Sequence, residues 1–273
     1  MTPPRGSGRR RLWIAAGVTA WIAVLAGVSF WSVRDDPPTV PEQRDIADAV
    51  TELRRATGAL AAAATDDRWA LRLGELRIED CSVTPVRPGS VASRELAVYV
   101  PEGDARIALD DIAAGLPAGY AASVTAVRGG TRLSLYADAG SFIAIDAEAL
   151  SVDQILRVRV ESGCRPRAGT IGAADPAAGP APALLAETLA ALGADPAVTP
   201  QARSVACPEG GTATTHLADA GAGDAEDGPR GVPPGTTPVW SGAAGWAYRS
   251  GPDSVVVTTD GGRMQASVTT GCS

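Results

Sequence analysis

A chain of 273 residues with 45% hydrophobic content has room for one large domain, or for two small ones beside a membrane segment. All 24 basic residues are arginine and asparagine is also absent, the composition of a very GC-rich genome such as an actinobacterium's. Without lysine there is no Walker A site, no Schiff base to an aldehyde cofactor and no Ser/Lys dyad, and a net charge of −7 argues against nucleic acid as a partner.

The charge is unevenly placed. Arg5, Arg9, Arg10 and Arg11 are the only charged side chains before Arg34, so the rest of the chain carries −11. Leu12 to Val33, "LWIAAGVTAWIAVLAGVSFWSV", holds 22 residues without a charge, enough to span a bilayer core as a helix. Trp13 and Trp31 are about 27 Å apart on such a helix, which places an indole at each interface. Arginines before the span and Asp35-Asp36 after it predict a cytoplasmic tail (1–11), a transmembrane helix (12–33) and everything beyond it outside the cell membrane. A cleaved signal has a shorter apolar run ending in small residues. This run ends in Phe30-Trp31, so an uncleaved single-pass anchor is expected, and no Cys stands near for lipid attachment.

Residues 34–43, "RDDPPTVPEQ", read as a stiff spacer. A first unit (44–166) opens with a helix capped by Asp45, with Ile46, Val50, Leu53, Thr57, Leu60 and Ala64 on one stripe. "WALRLGELRIED" alternates through Trp69, Leu71 and Leu73 and resumes at Leu76 and Ile78, which predicts a bulge at Gly74. A strand in "RELAVYV", a helix in "DARIALDDIAAGLP" and strands in "YAASVTAV", "TRLSLYA", "SFIAIDA" and "QILRVRV" complete a helix-on-antiparallel-sheet unit. Residues 167–181 read as a linker, and a second unit (182–273) opens with a helix bearing Leu184, Leu185, Thr188, Leu189 and Leu192 between Pro182 and Gly193. Its residues 219–238, acidic and rich in Gly and Pro, stand where the first unit has its middle helix and predict a mobile loop.

The two units look duplicated. "GSVASRELA" (89–97) matches "GGTATTHLA" (210–218), Gly119-Tyr120-Ala121 matches Gly245-Trp246-Ala247, and Asp138-Ala139-Gly140 matches Asp260-Gly261-Gly262, at offsets of 121, 126 and 122. Cys81 and Cys207 also differ by 126. Four cysteines beyond a membrane span read as two disulfides, for which three pairings exist. The duplication selects Cys81 with Cys164 and Cys207 with Cys272, each closing one unit.

Little of the sequence points to chemistry. His216, the single histidine, sits in a strand-like run with no G-x-S-x-G elbow in the chain, so it reads as a structural residue and not as part of a triad or metal site. Asp224, Glu226 and Asp227 form the densest acidic patch, but the EF-hand Glu is missing because position 235 is Gly. Trp240 and Trp246, with Tyr120, are the candidates for an exposed aromatic binding patch, although core packing of Trp246 is the more ordinary use.

The sequence therefore predicts an α+β protein: a transmembrane helix followed by two tandem, duplicated helix-on-sheet units, each closed by one disulfide. The function read from it is a non-catalytic, cofactor-free binding or structural module of a bacterial cell envelope, with a protein or cell-wall partner. The rivals are an accessory subunit of a membrane complex, which Gly17 and Ala20 support only as a small-residue face, and a cell-wall hydrolase, which predicts a cleft with paired carboxylates of shifted pKa.

Overall fold

The computed structural model describes residues 7–35 and 44–272, apart from 168, 173, 196, 224, 226 and 227. The chain divides into an N-terminal unit and a second compact unit that takes in all described residues from 44 onward. The first holds helix α1 (Ser7–Asp35), whose stretch Trp13–Trp31 is long and apolar enough to cross a membrane, with a mean hydropathy of 1.8. A helix that is apolar all round is either buried in protein or spans lipid, and within this chain the stretch is unburied. An anchor and a signal sequence share these features. Of the expected spacer, only Arg34 and Asp35 are described, as the end of α1.

The second unit contains, in order, α2 (Ile46–Ala63), β1 (Ala70–Leu73), β2 (Arg77–Thr84), β3 (Arg87–Tyr99), α3 (Ala105–Gly115), β4 (Ser123–Val127), β5 (Arg132–Asp138), β6 (Ala144–Leu150) and β7 (Ile155–Arg165). There follow α4 (Ala183–Leu192), β8 (Gln201–Ala206), β9 (Thr212–Ala222), β10 (Trp240–Gly242), β11 (Gly245–Ser250), β12 (Asp253–Asp260) and β13 (Arg263–Thr270). The strands form two antiparallel sheets, so the fold is α+β as the sequence predicts.

α2 begins where the Asp45 carboxylate accepts the Ala47 N–H at 2.7 Å. Its expected stripe, Ile46, Val50, Leu53, Thr57, Leu60 and Ala64, is buried throughout, and the Thr57 hydroxyl is satisfied by the Leu53 carbonyl. Each large aliphatic residue buried in this way contributes about 1.5–3 kcal/mol. The stripe lies on one face of the first sheet, beside α3, which buries Ala105, Leu109 and Ile112. β1 and β2 run end to end along β3: Leu73 opposes Leu96 and Arg77 opposes Ser93, so three residues face two and the predicted bulge at Gly74 is present.

The first sheet, read from its far edge, has the order β4-β5-β6-β7-β3-β1, and the second has β10-β11-β12-β13-β9-β8. α4 covers the second sheet with Leu185, Thr188 and Leu192 against Trp246, Tyr248 and Val257, and it ends at Gly193 in the left-handed region. The two sheets thus share one order of strands, and both disulfides form as paired from the sequence, Cys81–Cys164 and Cys207–Cys272. Two of the sequence matches, however, fall on strands that do not correspond. Tyr120 precedes β4, whereas Trp246 lies in β11, the counterpart of β5. The Asp138 turn joins β5 to β6, whereas the Asp260 turn joins β12 to β13, the counterparts of β6 and β7. Asp-Gly turns suit any hairpin, so such matches slip by one hairpin without cost.

The described residues of the connector between β7 and α4 are tied to the body at several points: among them, Arg54 donates to the Gly172 carbonyl at 2.7 Å, Arg94 pairs with Asp175, and His216 Nε2 lies 3.1 Å from the Gly179 carbonyl. In the segment expected as a mobile loop, 219–222 continue β9, and the described part of the remainder packs back onto the core through Ala225 and Val232. The Tyr248 hydroxyl donates to the Gly231 carbonyl at 2.9 Å, which fixes that end of the loop to the sheet.

Candidate functional site

The two sheets meet over a small apolar contact. On one row across the first sheet stand Ala70 of β1, Tyr99 of β3 and Ile155 of β7, facing Trp240, Ala247 and Val256 of the second. The Tyr99 and Trp240 rings lie 5.2 Å apart, tilted by 43°. A hydrogen bond from the Leu73 N–H to the Thr215 hydroxyl, at 2.9 Å, fixes the edge of β1 against β9. Beside this contact the sheets leave an open groove of about 520 Å³, whose lining includes Ile155, the edges of the buried Tyr99 and Trp240, Arg72, Arg157 and Thr258.

The next row on the same face of the first sheet explains the arginines. Arg72, Ala97 and Arg157 oppose one another on β1, β3 and β7, so two guanidinium groups stand about 10 Å apart at their backbones with only a methyl group between them. Arg159 follows Arg157 on the same face at the two-residue period of a strand. Arg77 is five residues from Arg72, an odd spacing that would turn it to the opposite face of a regular strand. The extra residue of the Gly74 bulge restores the parity, because Arg77 opposes Ser93 and Arg72 opposes Ala97.

These side chains, with Arg94 and Arg203, line a second cleft of about 260 Å³ that shares Arg72 and Arg157 with the groove. Six arginines face two glutamates there, Glu75 and Glu95. Arg157 is held by Glu95 at 2.7 Å, Arg159 by Glu161 at 3.0 Å, and the buried Arg94 by Asp175 at 2.8 Å. Arg203 reaches Glu75 only at 3.9 Å, and Arg72 donates to the neutral Thr258 hydroxyl at 3.3 Å. Among the described residues Arg77 forms no ion pair. Burial lowers the Arg203 pKa from its ordinary value; Glu75 opposes this, while Arg72, Arg94 and Arg77 lower it further. A strongly acidic protein therefore carries a locally positive cleft.

Carboxylates are placed differently. Asp219 and Asp260 both line the groove, and a hydrogen bond from Arg263 holds Asp219 below the usual carboxylate range. Asp146 is raised, first by burial and then by Glu161, but it lines neither cleft. Among the described residues no three His, Cys, Asp or Glu side chains are grouped to hold a metal.

The residues singled out from the sequence are not gathered at one place. Trp240 and Trp246 sit on paired strands but on opposite faces: Trp240 meets Tyr99 between the sheets, and Trp246 is buried under α4. Tyr120 lines a separate depression with Arg54, Pro117 and Pro208. The three do not form a shared surface, because strand alternation separates the tryptophans and the slipped repeat misplaces the tyrosine. His216 is buried in β9 beneath the connector, and the acidic patch Asp224, Glu226 and Asp227 lies outside the described residues. The arginine cleft is not legible as a site in the sequence. Its signal was present as the alternating "LRVRV" and as "LRLGELR", but the latter has its parity hidden by the bulge.

No family model matches the chain, and no curated protein matches it. A crystal structure of a DUF4853 family protein from Actinomyces odontolyticus is similar to it over 63% of this chain and 91% of that one, at 13% identity and a TM-score of 0.36. Neither activity nor partners transfer at that level of similarity.

Proposed function

We propose that this chain is a non-catalytic binding module of a bacterial cell envelope, anchored by α1 with its N-terminus in the cytoplasm, that takes its ligand in the groove between the two sheets. The observation that carries the reading is the combination of an apolar helix with a body closed by two disulfides across 83 and 65 residues. Disulfides of this kind persist in oxidising compartments, and the arginines that precede the helix favour the cytoplasmic side. The open groove supports binding as the activity, since it is a concave site that runs beside a cluster of cations.

Protease added to intact cells of a GC-rich Gram-positive host should digest the body and spare α1, and mild crosslinking before extraction should retain one protein or wall component. Full protection of the body from protease overturns the reading. A partner crosslinked through α1 and not through the groove favours the accessory-subunit reading, in which the helix makes the specific contact.

A further inference from the structure

The groove has a polarity of its own. One part exposes Ile155 beside the edges of Tyr99 and Trp240, which are themselves buried in the sheet contact, and the adjoining cleft holds Arg72 and Arg77, which form no ion pair among the described residues, and Arg203, whose carboxylate neighbour Glu75 stands at 3.9 Å. Arg72, Arg77 and Arg203 approach that cleft from three strands, β1, β2 and β8. A carboxylate presents two coplanar oxygens and suits a single guanidinium fork, whereas a phosphate presents oxygens in several directions and suits cations that converge from several sides. Charge limits the ligand further. The chain from Arg34 onward carries −11 even with the cleft's arginines counted, so the surface outside the cleft is acidic and a long polyanion is repelled wherever it leaves the arginines.

We infer that the cleft binds one terminal phosphate group, monoester or diphosphate, among Arg72, Arg77 and Arg203, with the remainder of the ligand extending into the groove past Arg72 and Arg157. This names the ligand class of the groove proposed above and rests on that groove being the binding site. It does not depend on which side of the membrane the body occupies. The Thr258 hydroxyl, already 3.3 Å from Arg72 Nη1, orients that side chain across the opening. Phosphate chemistry could come from a soluble phosphorylated compound or from a lipid headgroup, and both present the same group to the cleft.

The test uses the full chain in detergent, titrated calorimetrically with inorganic pyrophosphate and, separately, with short-chain phosphatidic acid. Saturable binding of either at one per chain is expected, weakened about tenfold or more in R72Q and in R203Q. R132Q, which removes a cation paired with Glu148 outside the cleft, should bind as the unaltered protein does. Matched thermal midpoints of the ligand-free variants separate lost binding from lost folding. Pyrophosphate binding alone assigns a soluble ligand, and phosphatidic acid binding alone assigns a lipid. Absence of both, or equal loss in R132Q, overturns the inference. Protease protection of the body in cells would instead overturn the anchored-module reading and leave the phosphate result standing.

Discussion

Arg94 shows how much one residue can carry. Its side chain is fully buried, and it spans three parts of the chain: it donates to the Gly74 carbonyl at the bulge, to Asp175 in the connector and to the Ser204 carbonyl of β8. Asp175 is 23% exposed and is also approached by Arg54, so the two partners are not equivalent. Replacing the carboxylate leaves a guanidinium in the interior with only carbonyl dipoles around it, whereas replacing the arginine leaves a carboxylate that water can reach. Breaking a buried pair by removing one charge costs about 3–5 kcal/mol. Asp175→Asn should therefore lower stability by about 3 kcal/mol, and the double variant Arg94→Met, Asp175→Asn should be less damaged than Asp175→Asn alone. Urea midpoints of the three proteins check the order, and a loss below about 1 kcal/mol in Asp175→Asn would show that the pair is hydrated like a surface ion pair.

Among the elements, α2 joins the helix layer of the first sheet to the edge of the second. Gly58 lies in its middle, where glycine costs about 1 kcal/mol relative to alanine. The reason is contact: a methyl group at Gly58 would stand 2.0 Å from the Ala206 carbonyl oxygen at the end of β8. Gly58→Ala should thus destabilise the protein by about 2 kcal/mol or more in spite of the better helix propensity, read as a lowered thermal midpoint. A gain in stability would mean that helix and sheet can separate freely. This close approach was not legible in the sequence, where Gly58 looks like a lapse in a good helix. The stripe from Ile46 to Ala64 was legible because helix periodicity is local, and so was the Gly74 bulge, since alternation breaks visibly there. Disulfide pairing followed from the order of the units even though two of the repeat matches had slipped by a hairpin. What local pattern could not reveal was which faces meet: the opposite orientations of Trp240 and Trp246 and the shared face of Arg72 and Arg77 depend on register and on the packing of one sheet against the other.

For the whole molecule, the question is whether two lobes that share a strand order are two domains. The duplicated topology suggests independence, and the second lobe has its own helix, sheet and disulfide. The burial pattern says otherwise. Val205, Cys207 and Ala213 of the second lobe belong to the core that α2 and the first sheet build, and the Thr215 hydroxyl accepts from Leu73 and lies 2.7 Å from Thr269. Severed from the first lobe, β8 and β9 would expose that apolar face, and the remaining core of the second lobe is small, as in short domains that need staples to fold. A disulfide closing a loop of 65 residues supplies roughly 4 kcal/mol by the chain-entropy model, which offsets only part of such a loss. The chain should accordingly unfold in one transition, with near-ultraviolet and far-ultraviolet signals coincident, and residues 182–273 secreted alone should show no cooperative transition even with their disulfide formed. Two resolved transitions in the whole chain, or a sharp melt of the isolated segment, would establish the lobes as separate domains and turn the groove between them into a hinge.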